Sequence, residues 1–357
     1  MRHPDICIAG AGIIGLSLAL ELHHRGVSVT VLDQATPLAE ASTAAAGMLA
    51  ARDPHNPPQL RPLAELSLSL YPAFLDHLHR LSAIRVPFQT LATLQAIPPS
   101  VPNTSSELTP EDLAHLLPAL NPGHHRFVRL DEHSLDPRQL ATALLAAVHA
   151  TTIDLRPNTP VLSTQPSSNA IEVNTPAGVL HAANFVDCTG AWASATSHLA
   201  NILVSPKKGQ MLSVSLPPSC PLELVVRTPD IYIVPRTSGP NSGRAIIGAT
   251  IEDAGFDKTV HTSDITHLRA LAATLLPPLA KAPQLEAWAG LRPATPDGLP
   301  LLGALPAHSN HFLATGHYRD GILLAPATAH VMAQLLLGEA PSIDLQPFSL
   351  TRTRITP

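Results

Sequence analysis

The chain has 357 residues, 45% of them apolar and 14% charged, with 22 basic against 27 acidic side chains. That length asks for two hydrophobic cores rather than one. The net charge of −5, the 3% aromatic content and the lack of any basic run argue against a nucleic acid or an anionic membrane as partner.

Residues 6–9 form a short apolar strand, followed by the turn Gly10-Ala11-Gly12-Ile13-Ile14-Gly15. A helix over 16–25 then stops at Gly26, and a second strand over 27–32 ends on Asp33. This is a βαβ unit, the setting in which a GxGxxG turn brings backbone close to a pyrophosphate at a helix N-terminus. Asp33, about 20 residues on, is placed to accept hydrogen bonds from an adenosine ribose and to repel a 2′-phosphate. The apolar start imitates a leader, but Asp5 interrupts it and the glycine turn occupies its middle. With no run long enough to span a bilayer, the expectation is a soluble cytoplasmic protein.

The run Ala41-Ser42-Thr43-Ala44-Ala45-Ala46-Gly47-Met48-Leu49-Ala50 is almost all small residues. Such a run lets backbone pass close to something large and flat, with Ser42 and Thr43 offering hydroxyls. A helix is expected over 63–81, strands over 84–97 and a loop over 98–106. Thr109 and Asp136, each followed by proline, read as N-caps of further helices, the second over 139–149. A strand ends at Asn158-Thr159-Pro160-Val161, whose edge suits an adenine ring. Another, over 184–188, runs into Thr189-Gly190-Ala191-Trp192, a third place where backbone can approach a dinucleotide.

From 202 to 291 strand signals alternate with one helix over 263–276, which fits an antiparallel sheet with a covering helix. Period-2 alternation puts Asp230, Tyr232 and Val234 on one face. Arg292 follows a strand-like segment and precedes a rigid Pro293 turn, so it is expected to meet an anion, with Asp297 as the internal alternative. Gly316-His317-Tyr318-Arg319-Asp320-Gly321-Ile322-Leu323 then supplies a second glycine-bearing helix start near the C-terminus. Two such starts in one chain suit a flavin dinucleotide, one helix facing the pyrophosphate and the other the ring. Arg319 is placed to support negative charge on the ring or to pair with Asp320. The 19 histidines are scattered without metal-ligand spacing, so no metal is expected. Cys7, Cys188 and Cys220 are odd in number and unpaired in spacing, which gives no disulfide framework. Cys7 and Cys188 sit in apolar runs and read as inert core thiols.

Taken together, GAGIIG, STAAAGML over 42–49, DEHSLDPRQL over 131–140, YIVPR over 232–236, GAT from Gly248, GLRPATPDGLPLLG over 290–303 and GHYRDGILLAPAT over 316–328 resemble one family. It is the glycine oxidase (ThiO) branch of the D-amino-acid oxidase superfamily of FAD-dependent oxidoreductases. The resemblance implies an α/β fold: a Rossmann-like, glutathione-reductase-like FAD-binding domain (1–85, 135–203 and 292–357) and an antiparallel-sheet substrate domain with covering helices (86–134 and 204–291). It implies that Arg292 binds a substrate carboxylate with Tyr232 assisting, and that Arg319 and Met48 wall the site. FAD would be held by Gly10, Gly12, Ile13, Ile14, Gly15, Asp33, Ser42, Thr43, Ala46, Gly47, Met48, Val161, Gly190, Trp192, Gly316, Arg319, Gly321, Ile322 and Leu323. No cysteine follows Cys220, so FAD is expected to be non-covalent. Ile251, after GAT, departs from the family's longer thioether.

The implied reaction is hydride transfer from the Cα of glycine, sarcosine or a small D-amino acid to flavin N5, needing orientation but no strong general base. Oxygen would take the electrons as hydrogen peroxide. The imine would hydrolyse to a 2-oxo acid and ammonia, or pass to thiazole synthesis for thiamine. A homotetramer is implied by resemblance alone. The competing readings are a D-amino-acid dehydrogenase feeding a quinone and a flavin-binding protein without turnover.

Overall fold

In the computed structural model, residues 4–98, 106–166, 170–196, 204–306 and 308–352 are described; most of the loop expected over 98–106 lies outside them. The strand Ile6–Ala9 sits at the centre of a six-stranded sheet, between Val29–Leu32 and Asn184–Asp187. Asp154–Arg156 and His308–Thr315 extend it in parallel on either side, and Leu301–Leu305 closes one edge antiparallel. Such a strand is apolar along its whole length because both faces are covered. Ile6 and Ile8 enter the core of packed helices, while Cys7 and Ala9 meet Ile171 and Val173 of a three-stranded antiparallel sheet on the other side. All three cysteines are buried and unpaired.

The helix Ile13–His24 begins three residues earlier than the pattern suggested, directly at the glycine turn, and the chain leaves it through Arg25 and Gly26, the latter with φ +82°. Thr109 caps Pro110–Leu116 in a reciprocal capping box with Asp112. Asp136 caps Pro137–His149 by accepting the Arg138 N–H at 3.0 Å. No helix of the described residues is long and apolar enough to cross a membrane.

The second sheet has seven strands, in the order Gln284–Ala294, Ser205–Ser215, Arg244–Gly248, Tyr232–Arg236, Val225–Arg227, Thr93–Ala96 and Phe127–Leu130. Its outer face, with Leu212, Ile233 and Ile247, packs on Ile265, Leu268 and Ala272 of the helix Thr262–Leu275. Its inner face turns toward the first sheet. The Gln284–Ala294 strand stays paired to Ser205–Ser215 as far as Ala294, past the boundary expected after 291.

One repair in the helical layer has measurable consequences. Pro326 lies inside the helix Gly321–Leu336, where it has no N–H for the Ile322 carbonyl and crowds the bond that should follow. The helix Arg61–Ser82 supplies both missing partners. The Tyr71 hydroxyl donates to the Ile322 carbonyl; the Ser67 hydroxyl donates to the Leu323 carbonyl at 2.6 Å and accepts the Ala327 N–H at 3.2 Å. Tyr71 is buried, so Tyr71→Phe strands a carbonyl away from water and is expected to cost about 1–3 kcal/mol in denaturant unfolding. Pro326→Ala restores the helical donor. In that background Tyr71→Phe should cost distinctly less, and an unchanged cost would dismiss the repair.

Candidate functional site

The two sheets enclose a cavity of about 380 Å³, within the range of small-molecule sites. Two helices start at its wall. Gly12 precedes Ile13–His24 and Asp320 precedes Gly321–Leu336, and neither residue caps its helix with a side chain. The Ile13 N–H is taken by the Ser42 hydroxyl at 2.9 Å. Each helix therefore brings the positive end of its dipole to one shared space. A Cβ added at Gly190 would meet no protein atom within 4 Å, and one at Gly12 or Gly321 would find only a single neighbour at 3.4 and 3.8 Å. These three glycines line the cavity, so the space their missing side chains leave is part of it. An extended dinucleotide with an anionic centre fits such a cradle.

Asp33 lies at the same wall. Its carboxylate accepts the Ala11 N–H at 2.6 Å and the Ala35 N–H at 2.9 Å, and burial raises its pKa against those two bonds. Val161 and Trp192 border the space, as do Ala46, Gly47 and Met48 of the small-residue run. Four positions implied as cofactor contacts do not. Gly15 permits helix–strand contact, since a Cβ there would fall 1.9 Å from the Gly10 carbonyl oxygen. Thr43 spends its hydroxyl on the Leu38 carbonyl at 2.9 Å. Gly316 turns with φ +78° against Thr295, and Leu323 is fully buried in the helical core.

The inner face of the seven-stranded sheet forms the opposite wall. Cross-strand register places Gln95, Arg227, Tyr232, Gly248, Met211 and Trp288 in one row. Arg292 stands on the same face, two residues beyond Gly290 along its strand. Its guanidinium lies over Gly209, where a Cβ would come within 2.2 Å of Nη2. The Tyr232 phenol lies over Gly248, where a Cβ would come within 2.4 Å of the hydroxyl. Two strand glycines thus floor the spot where the Arg292 guanidinium and the Tyr232 phenol come together. Arg292 Nη1 also donates to the Thr250 carbonyl at 3.1 Å. Burial raises the Tyr232 pKa more than Arg292 lowers it, so the phenol keeps its proton near neutrality. Asp297 is not the partner of Arg292; it pairs with Arg352 at 2.7 Å.

Sequence patterns did not expose a buried charge chain beside Tyr232. Arg227, 4% exposed, donates to Gln95 and, at 2.9 Å, to Glu132. Asp53 stands 3.8 Å from Arg227 and 3.3 Å from Arg319, which also donates to Asn56 at 3.0 Å. Burial pushes the Asp53 carboxyl up, but the two guanidiniums and His55 outweigh it and hold it below its usual range. Asp320 is different: burial carries it to about 6, and Arg319 only partly opposes this. Ile251, also at the cavity, is 64% exposed. Among the described residues no group of His, Cys, Asp or Glu is placed to hold a metal ion.

The family model described as FAD dependent oxidoreductase matches residues 5–335. The chain is 36% identical to the bifunctional protein ThiO/ThiG of Trichormus variabilis over 98% of its own length and 55% of that protein's, so it spans about half of that relative. It is 32% identical to a glycine oxidase of Pseudomonas aeruginosa, covering 96% of this chain and 98% of that one. The crystal structure of glycine oxidase from Geobacillus kaustophilus superimposes with a TM-score of 0.90 at 31% identity, over 98% of this chain and 99% of that one.

His317, in the second glycine segment, is buried with its Nε2 at 3.0 Å from the Thr328 hydroxyl, and burial lowers its pKa to about 3. His311 is lowered to about 4 by burial. Below pH 6.5 the unfolded chain takes protons at both sites that the folded chain refuses, so stability is lost as pH falls from 6.5 toward 3. Asp320 acts in the opposite sense between about 4 and 6, as does Asp33, whose carboxyl burial raises, but His77 and His125, also lowered by burial, add to the loss. The unfolding midpoint is expected to drop across pH 6.5 to 4, and His317→Asn should flatten that slope by about one proton. An unchanged slope would show that His317 is not held neutral.

Proposed function

The chain belongs to the family of FAD-dependent oxidoreductases, and on that premise we propose that it is an FAD-dependent amino-acid oxidase acting on glycine and other small amines. The observation that carries the proposal is the meeting of Arg292 and Tyr232 over the floor of Gly209 and Gly248, at the same cavity as two helix starts. Identities above 30% to two glycine oxidases over nearly their whole lengths support the substrate class.

When bound, FAD supplies the two-electron acceptor for the hydrogen leaving the substrate α-carbon. The chain's own groups have a narrower task. The planar Arg292 fork matches a carboxylate and fixes its orientation, while the protonated Tyr232 adds a second donor from the neighbouring strand. Met48 and Met211 wall the space beside them, which favours glycine, sarcosine and small D-amino acids over bulky ones. Gly10, Gly12, Ile13, Ile14, Asp33 and Ser42 would hold the dinucleotide half of the cofactor; Gly321 and Ile322, with Arg319, would face its ring. Electrons would then pass to oxygen as hydrogen peroxide. The imine would be hydrolysed or handed to thiazole synthesis, a role supported by the ThiO/ThiG relative.

A visible spectrum before and after anaerobic glycine tests the proposal. Flavin bands that bleach support it, and one peroxide per glycine in air separates an oxidase from a quinone-linked dehydrogenase. Bands that bleach only with a larger D-amino acid would move the substrate, and a colourless protein that takes up no FAD would end the proposal.

Two substitutions probe the clamp. Arg292→Ala should weaken glycine binding by about 2–5 kcal/mol with flavin retained. Gly209→Ala should push the guanidinium aside without unfolding the sheet, raising KM at least tenfold (about 1.4 kcal/mol) while the flavin spectrum holds. Unchanged KM in either variant would dismiss the assigned carboxylate site.

A further inference from the structure

Behind the small-residue run, on the inner face of the second sheet, lies a charge arrangement that the oxidase chemistry does not use. Arg236 and Arg244 stand directly opposite each other on adjacent antiparallel strands. Like charges in that position repel. A third guanidinium, Arg138, reaches the same place from the helix Pro137–His149. The three line one recess together with Thr43, Ala45 and Asn241.

Two carboxylates also border it, and both are largely committed. Glu286 pairs with Arg138 at 2.6 Å, and Arg138 lies 4.8 Å over the Trp288 ring. Asp136 accepts the Arg138 N–H at 3.0 Å and the Asn241 amide at 2.7 Å, and is 3.9 Å from Arg236. Arg244 has no carboxylate within ion-pair distance among the described residues. Three cations thus face two anions. Arg236 is only 4% exposed; its Nη2 donates to the Ala46 carbonyl at 2.9 Å, and its Nη1 is buried without any partner. Burial, incompletely offset by Asp136, lowers its pKa to about 10. The recess has a free volume of about 10 Å³, room for one water-sized sphere.

We propose that this recess binds a single monovalent anion of halide size, seated between Arg236 and Arg244. A halide is larger than water, so Arg244, only partly buried, gives way slightly to admit it, and once seated between the two guanidiniums it cancels the unbalanced charge. A water molecule would fill the space and leave the charge. Arg236 also holds the Ala46 carbonyl, and Ala46 and Gly47 border the main cavity, so the anion braces one wall of that cavity from behind.

Thermal unfolding of the holoenzyme in sodium chloride, against sodium gluconate at equal ionic strength, reads the site out. The wild-type midpoint should rise saturably by about 2–3 °C in chloride and in bromide. Arg244→Met should lose the anion-specific rise, and in gluconate it should melt above wild type because the opposed charge is gone. A wild-type midpoint that ignores anion identity, or an equal chloride response in Arg244→Met, would overturn the site. A crystal soaked in sodium bromide gives an independent measure on the wild-type chain. An anomalous peak between Arg236 and Arg244 supports the proposal, and density without anomalous signal, as from water, refutes it.

Discussion

Two sheets face each other across a space that their own side chains leave unfilled, and most of the buried polar groups can be understood from that constraint. A sheet face left beside a gap tends to collapse onto whatever apolar surface is near. Here the second sheet packs its outer face on the helix Thr262–Leu275, and its inner row joins Gln95, Arg227 and Tyr232 to Gly248, Met211 and Trp288. Directional bonds around the rim then set the separation. Trp288 Nε1 donates to the Ala44 carbonyl at 3.0 Å, Arg236 to the Ala46 carbonyl at 2.9 Å, and Arg227 to Glu132 at 2.9 Å. The first two tie the second sheet to the small-residue run at the cavity wall, and Glu132 in turn accepts the Arg52 N–H at 2.9 Å. Buried ion pairs are poor sources of net stability, but removing one partner is costly, so they suit a fixed geometry better than a tight core.

The same constraint explains why glycine occupies strand interiors at Gly209 and Gly248. Glycine there weakens a strand by roughly 0.5–1 kcal/mol relative to alanine. A methyl group at either place would displace the Arg292 guanidinium or the Tyr232 hydroxyl by well over the tolerance of a hydrogen bond. Binding a carboxylate in a fixed orientation depends on both groups lying close to the sheet, so the local propensity yields to the site. Strand twist and pairing survive because the neighbours, Lys208 and Gln210 on one strand and Ile247 on the other, keep their ladder bonds.

How much of this was legible in the sequence depended on how local the signal was. The βαβ unit was legible because strand, turn, helix and Asp33 lie within one short stretch, and the caps at Thr109 and Asp136 because a cap is a contact over two or three residues. Tyr232 and Arg292 were singled out from strand alternation and a following proline, and the fold puts them at one spot. The floor beneath them was not legible: a glycine inside a strand reads as a weak point until the residue that lies on it is known. Nor was the Arg227 chain, whose partner Glu132 is 95 residues away in sequence. Asp297 shows the same limit from the other side. The near neighbour Arg292 stood as its alternative partner, yet Asp297 pairs with Arg352, 55 residues on. Spacing places elements, but it does not choose between two cations that both come within reach after folding.

Pro326 adds the last step, because it shows how far the cavity's requirements extend. A proline in the first turns of a helix costs a backbone bond where the helix must hold its start steady. No side chain from within that helix restores the bond. The hydroxyls of Ser67 and Tyr71, one turn apart on the helix Arg61–Ser82, reach across and satisfy the Leu323 and Ile322 carbonyls from the side away from the cavity. Repair from outside fixes the start of Gly321–Leu336 without a side-chain cap, so Gly321 and Ile322 keep their place on the cavity wall. The helix Arg61–Ser82, none of whose residues borders the cavity, is thereby part of what shapes it.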